Sequence, residues 1–158
     1  MRKTLGRIMK PNILKLGMNI WPPFLGAGIR VKHIATDYRE IIVSMKLRWY
    51  NPNYVGTHFG GSLAAMTDPF YMLMLVHILG HEYTVWDKTT TIDYIAPGRG
   101  TVTARFTLKD YQLAEIKGKA VRNEPYFTEF SVDIVNQSGE VIAQVEKKLY
   151  IRKKQSKG

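Results

Sequence analysis

Residues 53–79 read NYVGTHFGGSLAAMTDPFYMLMLVHIL, a polar, glycine-bearing loop that leads into one long apolar helix. Apolar side chains occupy every side of this helix, and a helix of that kind must be buried on every side. We therefore expect the helix to lie inside the domain, with other elements wrapped around it. The rest of the chain indicates that those elements are strands.

The single carboxylate on this helix belongs to Asp68. A carboxylate at such a position is costly unless it is paired, hydrogen-bonded or facing a wet cleft, so Asp68 is the first candidate functional residue. Two structural interpretations compete with function. Asp68 caps a helix that begins at Pro69, or the helix runs through from Gly61 and Pro69 kinks it, which leaves the Ala65 carbonyl free. A membrane span over residues 63–79 is disfavoured, because Asp68-Pro69 interrupts it and amphipathic strands flank it.

From residue 29 onward the hydrophobic period changes to two, which is typical of half-buried strands. In residues 41–49, for example, alternate positions are apolar: Ile41, Val43, Met45, Leu47 and Trp49. The predicted strands lie in residues 29–36, 41–49, 83–95, 101–108, 130–134 and 141–151. Residues 110–123 read as a polar connection with one helical turn. Most consecutive strands are joined by short turns, so the sheet is antiparallel and the fold class is α+β.

Two motifs resemble a known family. The first is Asn-x-x-Gly-Thr-x-x-Gly-Gly at residues 53–61, followed seven residues later by Asp68; it resembles the thioesterase branch of the hotdog fold. The second, WDKTTTIDYIAPGRG at residues 86–100, is more similar still to an uncharacterised hotdog family of thioesterases. One position departs from the phenylacetate-type enzymes, which carry His directly before the glycine pair. Here Phe59 occupies that position and His58 precedes it.

The resemblance covers residues 30–152 and implies a hotdog fold, in which a long central helix is wrapped by an antiparallel sheet of about six strands. The expected organisation is a basic N-terminal helical extension in residues 1–28, the hotdog domain in residues 29–152, and a basic disordered tail in residues 153–158.

Two interpretations of the N-terminal extension remain open. It is a helix, broken at Pro11, that docks its apolar side on the domain, or it is a basic amphipathic segment at a membrane surface with Trp21 and Phe24 as interfacial aromatics. We favour docking, because Trp and Phe beside proline suit the edge of a core equally well. The extension has no apolar core ending in a small-residue cleavage site, so it is not an export signal, and we expect a cytoplasmic protein.

Composition limits the partners. The chain has 158 residues, of which 45% are hydrophobic, so it forms one ordinary domain with a real core. It has no cysteine, and therefore no disulfide and no thiolate nucleophile. Its 23 Lys and Arg against 13 Asp and Glu give a net charge of +10, which favours anionic partners such as the phosphates of coenzyme A. Nucleic acid is not expected, because the aromatic residues are not interleaved with Lys and Arg on one strand face.

The start of the helix suits acyl transfer. The N–H groups of Gly60 and Gly61 are unpaired there and suit a carbonyl oxygen that gains charge when it is attacked. Asp68 lies roughly 10 Å further along the axis, too far to serve the same carbonyl within one subunit. A two-fold dimer would bring Asp68 of one chain to the helix start of the other. The resemblance implies the same arrangement, since hotdog thioesterases are dimers or dimers of dimers with shared sites.

The sequence thus predicts four catalytic residues: Gly60 and Gly61 bind the carbonyl oxygen, Asp68 activates water or attacks directly, and Asn53 orients the water or the leaving group. The expected substrate-binding residues are His58, Phe59, Asp87 and Arg99. His58 and Phe59 lie beside the helix start, and Asp87 or its neighbour Lys88 must face a cleft or an interface. Arg99 could meet coenzyme A phosphates, although a solvated turn is favoured.

No metal and no cofactor are expected. His77 and His81 are four residues apart, but Gly80 intervenes and no third ligand is nearby. The predicted function is hydrolysis of an acyl-coenzyme A ester or another acyl thioester, with coenzyme A only as part of the substrate. The alternative is a hotdog protein that binds an acyl or lipid ligand without hydrolysing it, at a membrane surface.

Overall fold

The computed structural model describes residues 9–121 and 124–155, and within them the predicted α+β architecture is confirmed. Six antiparallel strands form one sheet in the order β1-β2-β4-β5-β6-β3. The helices are α1 Pro11–Ile20, α2 Pro22–Ala27, α3 Gly60–Ala65, α4 Phe70–Leu79 and α5 Asp110–Lys119, with a 3₁₀ turn at Gly80–Glu82. The strands are β1 Ile29–Ile34, β2 Glu40–Lys46, β3 Tyr83–Tyr94, β4 Thr101–Thr107, β5 Tyr126–Asn136 and β6 Val141–Lys153.

The central helical segment is not continuous. α3 ends at Ala65, α4 begins at Phe70, and a turn separates them. Asp68 does not cap α4, because Pro69 is the N-cap residue and makes no side-chain cap bond; the capping interpretation is wrong. The Ala65 carbonyl is not left free either, since it accepts from the Asp68 N–H at 3.3 Å. The proline thus breaks the helix into two, and Asp68 lies in the break.

Burial of α4 is one-sided, whereas the sequence predicted burial on every side. Phe70, Met74 and Leu75 are fully buried against the sheet, while Met72 and Val76 are only half-buried. The 23-residue stretch Gly60–Glu82 also meets the length and composition criterion for a membrane span, a test that core helices pass as well. Its packing against the inner face of the sheet identifies it as a core element.

The sheet is covered at one of its two edges. α1 lies along the edge strand β1, where the Asn19 side chain pairs with the Val31 backbone in both directions, at 3.0 and 2.8 Å. Leu14 and Met18 of α1 and Phe24 of α2 enter the core. The docking interpretation of residues 9–28 is therefore supported by their contacts, although α1 begins at Pro11 and is not broken there. Residues 1–8 lie outside the described part of the chain, as do residues 156–158 of the tail.

Several boundaries differ from the sequence prediction. β5 begins at Tyr126, four residues before the strand predicted at 130–134. β2 ends at Lys46, so Leu47 and Trp49 lie in the next loop, where Trp49 is 91% exposed. The predicted polar connection contains a ten-residue helix, α5, which buries Leu113 and Ile116. β6 continues through Lys153, the first residue assigned to the tail.

Candidate active site

The loop before α3 presents two free amides. Phe59 precedes the helix, and its carbonyl accepts from the N–H groups of Ser62 at 2.9 Å and Leu63 at 3.1 Å. The N–H groups of Gly60 and Gly61 donate to no atom among residues 9–121 and 124–155. A six-residue helix has a weak dipole, so the chemistry here depends on these two donors and less on the helix behind them.

Close packing explains why both positions are glycine. A Cβ at Gly60 would lie 3.0 Å from the ring of Tyr94, whose hydroxyl donates to the Gly60 carbonyl at 3.0 Å. A Cβ at Gly61 would lie 2.5 Å from the ring of Phe59, which is itself 55% exposed. The backbone therefore passes between two aromatic rings with room for hydrogen only.

Asn53 holds this loop together. Its Oδ1 accepts from the N–H groups of Val55 at 3.1 Å and Thr57 at 2.9 Å, and its Nδ2 donates to the Thr57 hydroxyl at 2.9 Å. Both ends of the amide are thus occupied within the loop. This arrangement positions the residues before Gly60 and leaves Asn53 no free group for water.

His58 is buried under the same loop, with 3% of its surface exposed. Its Nε2 lies 3.1 Å from the Gly100 carbonyl, which requires the proton on Nε2. Its Nδ1 is buried and has no hydrogen-bond partner in the described chain. Burial lowers the pKa of His58, and the bond to Gly100 opposes that shift only in part. The imidazole is therefore neutral near pH 7.

A first cleft of about 550 Å³ opens beside these residues. Its lining brings together four residues predicted from the sequence: Asn53, His58, Gly60 and Arg99. The Arg99 guanidinium donates weakly to the Gly56 carbonyl, at 3.5 Å. The cleft is thus bounded by a free amide and a cation, two groups that suit an anionic or carbonyl-bearing ligand.

Asp68 faces a second cleft of about 430 Å³, lined also by Trp21, Phe24, Gly61 and Ile92. The Asp68 side chain is 68% exposed. One of its oxygens, Oδ1, lies 3.4 Å from Nζ of Lys147. The other, Oδ2, accepts no hydrogen bond from the described residues. The carboxylate is therefore held on one side and free on the other.

Lys147 is a functional candidate that the sequence reading missed. It is fully buried, and its Nζ also lies 3.1 Å from Oδ1 of Asp87. Burial raises the pKa of Asp87; the charge and hydrogen bond of Lys147 oppose this, and the charge of Asp68 adds to it. The two acids predicted from the sequence thus meet at one ammonium.

The signal for Lys147 was present in the sequence. Residues 145–151 read VEKKLYI, and in a strand the side chains at 145, 147, 149 and 151 share one face. Val145, Leu149 and Ile151 are apolar and buried. A lysine in the middle of such a row needs an acid as its partner, and Asp68 and Asp87 lie on neighbouring elements.

The predicted residues, except Phe59, thus lie in or next to one of two clefts. Asn53, His58, Gly60 and Arg99 line the first, and Gly61 and Asp68 line the second with Asp87 next to Asp68 through Lys147. Of the pair Asp87 and Lys88, Asp87 points inward, whereas Lys88 lies exposed in a β-bulge. Residues 9–121 and 124–155 contain no cluster of three His, Asp or Glu suited to a metal ion.

Comparisons with known proteins agree with this architecture. A family model described as a domain of unknown function, DUF4442, matches residues 10–151. The chain belongs to this family. No curated protein matches it.

Solved structures show the same fold at low sequence identity. A Pseudomonas aeruginosa protein of unknown function, described as a probable thioesterase, is 13% identical with a TM-score of 0.73, over 90% of this chain and 95% of that one. A thioesterase from Haemophilus influenzae is 16% identical with a TM-score of 0.68, over 94% of both chains. A mutant of the phenylacetic acid degradation protein PaaI from Thermus thermophilus is 21% identical with a TM-score of 0.56, over 82% and 97%. The predicted hotdog fold is confirmed.

Proposed function

We propose that this chain is a hotdog thioesterase that hydrolyses acyl-coenzyme A esters or other acyl thioesters. The observation that carries the proposal is the placement of Asp68: an exposed carboxylate in the break of the central helical segment, with one oxygen held by a buried ammonium and the other free in a cleft. Such a group can act as general base or nucleophile. The names of the similar structures, several of them thioesterases, support the reaction class.

The proposed site needs two copies of the chain. β3 is a twelve-residue edge strand, and among the described residues only β6 pairs with it. A long unpaired edge invites pairing with a second strand. Both clefts border β3, the first through Tyr94 and the second through Ile92. A two-fold dimer through this edge would bring the Asp68 cleft of one chain towards the Gly60 cleft of the other, in a dimer or a dimer of dimers.

The chemistry in this dimer follows from the two clefts. The thioester carbonyl oxygen accepts from the Gly60 and Gly61 amides of one chain. Asp68 of the other chain takes a proton from water, and the resulting hydroxide attacks the carbonyl carbon. The amides stabilise the negative oxygen. The C–S bond then breaks, and the thiolate leaves and takes up the proton. Asn53 positions the loop that holds the amides.

The binding of the carrier is assigned to the first cleft. Arg99 at its rim and the net charge of +10 would attract the phosphates of coenzyme A. Phe59, half-exposed at the start of α3, would contact the acyl part. No cofactor beyond the substrate's own coenzyme A takes part. We place the protein in the cytoplasm, where acyl-coenzyme A esters are made.

The decisive measurement is thiol release from a panel of short, long and aromatic acyl-coenzyme A esters. Asp68→Asn should lower kcat by roughly 10²–10⁴-fold, the usual contribution of a positioned base. The matched control is Asp133→Asn, which changes an exposed aspartate on β5 and should leave turnover unchanged. Parental turnover in Asp68→Asn would refute the assignment of the base.

Mixing two variants, Gly60→Ala and Asp68→Asn, tests whether the site is shared between two chains. Gly60→Ala puts a methyl group beside the proposed carbonyl amide, 3.0 Å from the Tyr94 ring. A dimer of one Gly60→Ala chain and one Asp68→Asn chain has one intact site out of two. Half of the dimers in an equimolar random mixture are of this kind, so the mixture should recover about a quarter of parental activity. No recovery from two folded variants that exchange subunits would contradict a site shared between chains.

One observation favours the second candidate function, non-catalytic binding of an acyl or lipid ligand at a membrane surface. The outer face of α1 exposes Ile13, Leu16 and Ile20, Trp21 follows them, and the sequence has no acid before Asp37. Such a face suits anionic lipid. Binding to anionic vesicles that Leu16→Glu abolishes, together with silence across the thioester panel, would select this function.

A further inference from the structure

Lys147 occupies a position where a lysine is costly. It lies in the interior of the sheet, opposite Thr90 on β3 and Phe130 on β5, and no part of it is exposed. Its strand neighbours on the same face are Val145 and Leu149, both buried. A buried ammonium needs partners of opposite charge, and replacing such a group by an apolar side chain is often neutral or stabilising. Stability alone therefore does not explain a lysine here.

Its two partners hold it from different elements. Asp87 lies on the inner face of β3, 25% exposed, with Oδ1 at 3.1 Å from Nζ. Asp68 lies in the helix break, 68% exposed, with Oδ1 at 3.4 Å. The ammonium sits on the rigid sheet, whereas Asp68 belongs to a turn. Lys147 is thus a link from the sheet to the carboxylate assigned as the base.

This link is what orients Asp68. Besides Lys147, no described side chain or backbone N–H bonds to the Asp68 carboxylate, and most of that carboxylate faces solvent. Without the contact, the side chain could rotate about both of its torsions. With it, Oδ1 stays beside the ammonium, and the carboxylate keeps one orientation in the cleft that Asp68 and Gly61 both line.

We propose that Lys147 is a positioning residue for Asp68, and that Asp87 anchors the ammonium. This inference rests on the proposed function, because it assigns the purpose of the link to the reaction of Asp68. In this role Lys147 acts through Asp68 and does not itself react with the thioester. Its effect should fall on kcat, since aligning a base matters in the transition state and does little for binding of the thioester.

The kinetic test uses the double variant Lys147→Met with Asp87→Asn, which removes the ammonium without leaving a buried carboxylate behind. Folding is checked by near-UV circular dichroism. Per folded enzyme, we expect kcat to fall by roughly 10- to 100-fold with KM within about twofold of the parent. The matched control is Lys148→Met, the next residue, whose ammonium pairs with Glu129 at the surface; it should keep parental kcat and KM. Parental kcat in the folded double variant would overturn the proposal.

A structural readout separates this inference from the proposed function. Crystal structures of the parent, the double variant and Lys148→Met report the conformers of the Asp68 side chain. We expect one conformer in the parent and control, and several in the double variant. One unchanged conformer in all three would overturn the positioning role even if the parent hydrolyses thioesters. If the parent hydrolyses none, the proposed function fails, while the conformers still decide whether Lys147 orients Asp68.

Discussion

Replacing Lys147 by methionine alone leaves the Asp87 carboxylate on the inner face of β3 without its cation. Removing one partner of a buried ion pair costs about 3–5 kcal/mol of unfolding free energy, because the remaining charge is uncompensated. Asp87 is 25% exposed, so water reaches it in part and we take the lower end, about 3 kcal/mol. For a domain of this size that loss lowers Tm by roughly 6–12 °C.

The pH dependence of stability also reports the loss of the cation beside Asp87. Burial raises the pKa of Asp87, and Lys147 opposes the rise, so the variant raises this pKa further. A carboxyl whose pKa is raised in the folded state binds a proton that the same carboxyl in the unfolded chain does not. The protein therefore becomes more stable as the pH decreases towards the ordinary pKa of an aspartate. The deficit of Lys147→Met should shrink between about pH 7.5 and pH 5.5.

The assay is thermal unfolding followed by circular dichroism at both pH values. Lys148→Met removes an exposed pair and should cost no more than about 1 kcal/mol. Adding Asp87→Leu to Lys147→Met should restore most of the lost Tm, since an apolar pair fills the same space without charge. A single variant as stable as the control, or a double variant no better than the single one, would refute the reasoning.

Two further predictions concern the loops. Gly28→Ala should cost roughly 1–3 kcal/mol in urea unfolding, because Gly28 has a φ of +79° and a Cβ there would lie 2.8 Å from Nδ2 of Asn51; Gly139→Ala, with a φ of +85° and open space around it, should cost less. Burial lowers the pKa of His58. Below about pH 6.5 the unfolded chain therefore binds more protons than the folded one, and the protein becomes less stable as the pH decreases. His58→Gln should therefore lose less stability than the parent between about pH 7 and pH 5, and an equal loss would contradict this sign.

Much of the fold was predictable because its signals are local. Alternation in β2 and β4 places Ile41, Val43 and Ala104 on the inner face, where the structure buries them completely. The glycine-bearing loop and the apolar residues that follow it predicted the central helical segment. These patterns depend on residues two to four positions apart, which a single sequence displays directly.

The errors arose where side-chain hydrogen bonds or packing against the domain override the hydrophobic pattern. The apolar alternation that predicted β2 continues through Trp49, but the Asn51 side chain accepts from the Arg48 N–H at 2.7 Å and donates to the Lys46 carbonyl at 3.0 Å. These bonds turn the chain and end the strand. In α5, a polar surface concealed the two buried positions, Leu113 and Ile116, that attach the helix to the domain.

Most residues of the candidate site were singled out from the sequence, but Lys147 and the arrangement of the site were not. Asp68 stood out as an acid in apolar surroundings, and Asp87 as one of two adjacent charged residues in a predicted strand, next to Trp86. Their meeting at Lys147 could not be read from spacing, because 60 positions separate Asp87 from Lys147 in the sequence and a strand pairing brings them together. Only the alternation in residues 145–151 carries a signal that Lys147 faces inward.

Two local irregularities, a β-bulge at Lys88 and a helix break before Pro69, bring Asp87 and Asp68 to Lys147. In a regular strand Asp87 and Thr90 would point to opposite faces, but the bulge at Lys88 shifts the register so that Asp87 pairs with Leu149 and Thr90 with Lys147, all on the inner face. In a continuous helix Asp68 would have helical neighbours on both sides. Here the helix is interrupted before Pro69, and Asp68 lies in a turn next to the same lysine. A bulge and a helix break each weaken regular structure. Their coincidence at one ammonium is what brings Asp68 and Asp87 together, and the proposed positioning of Asp68 depends on both.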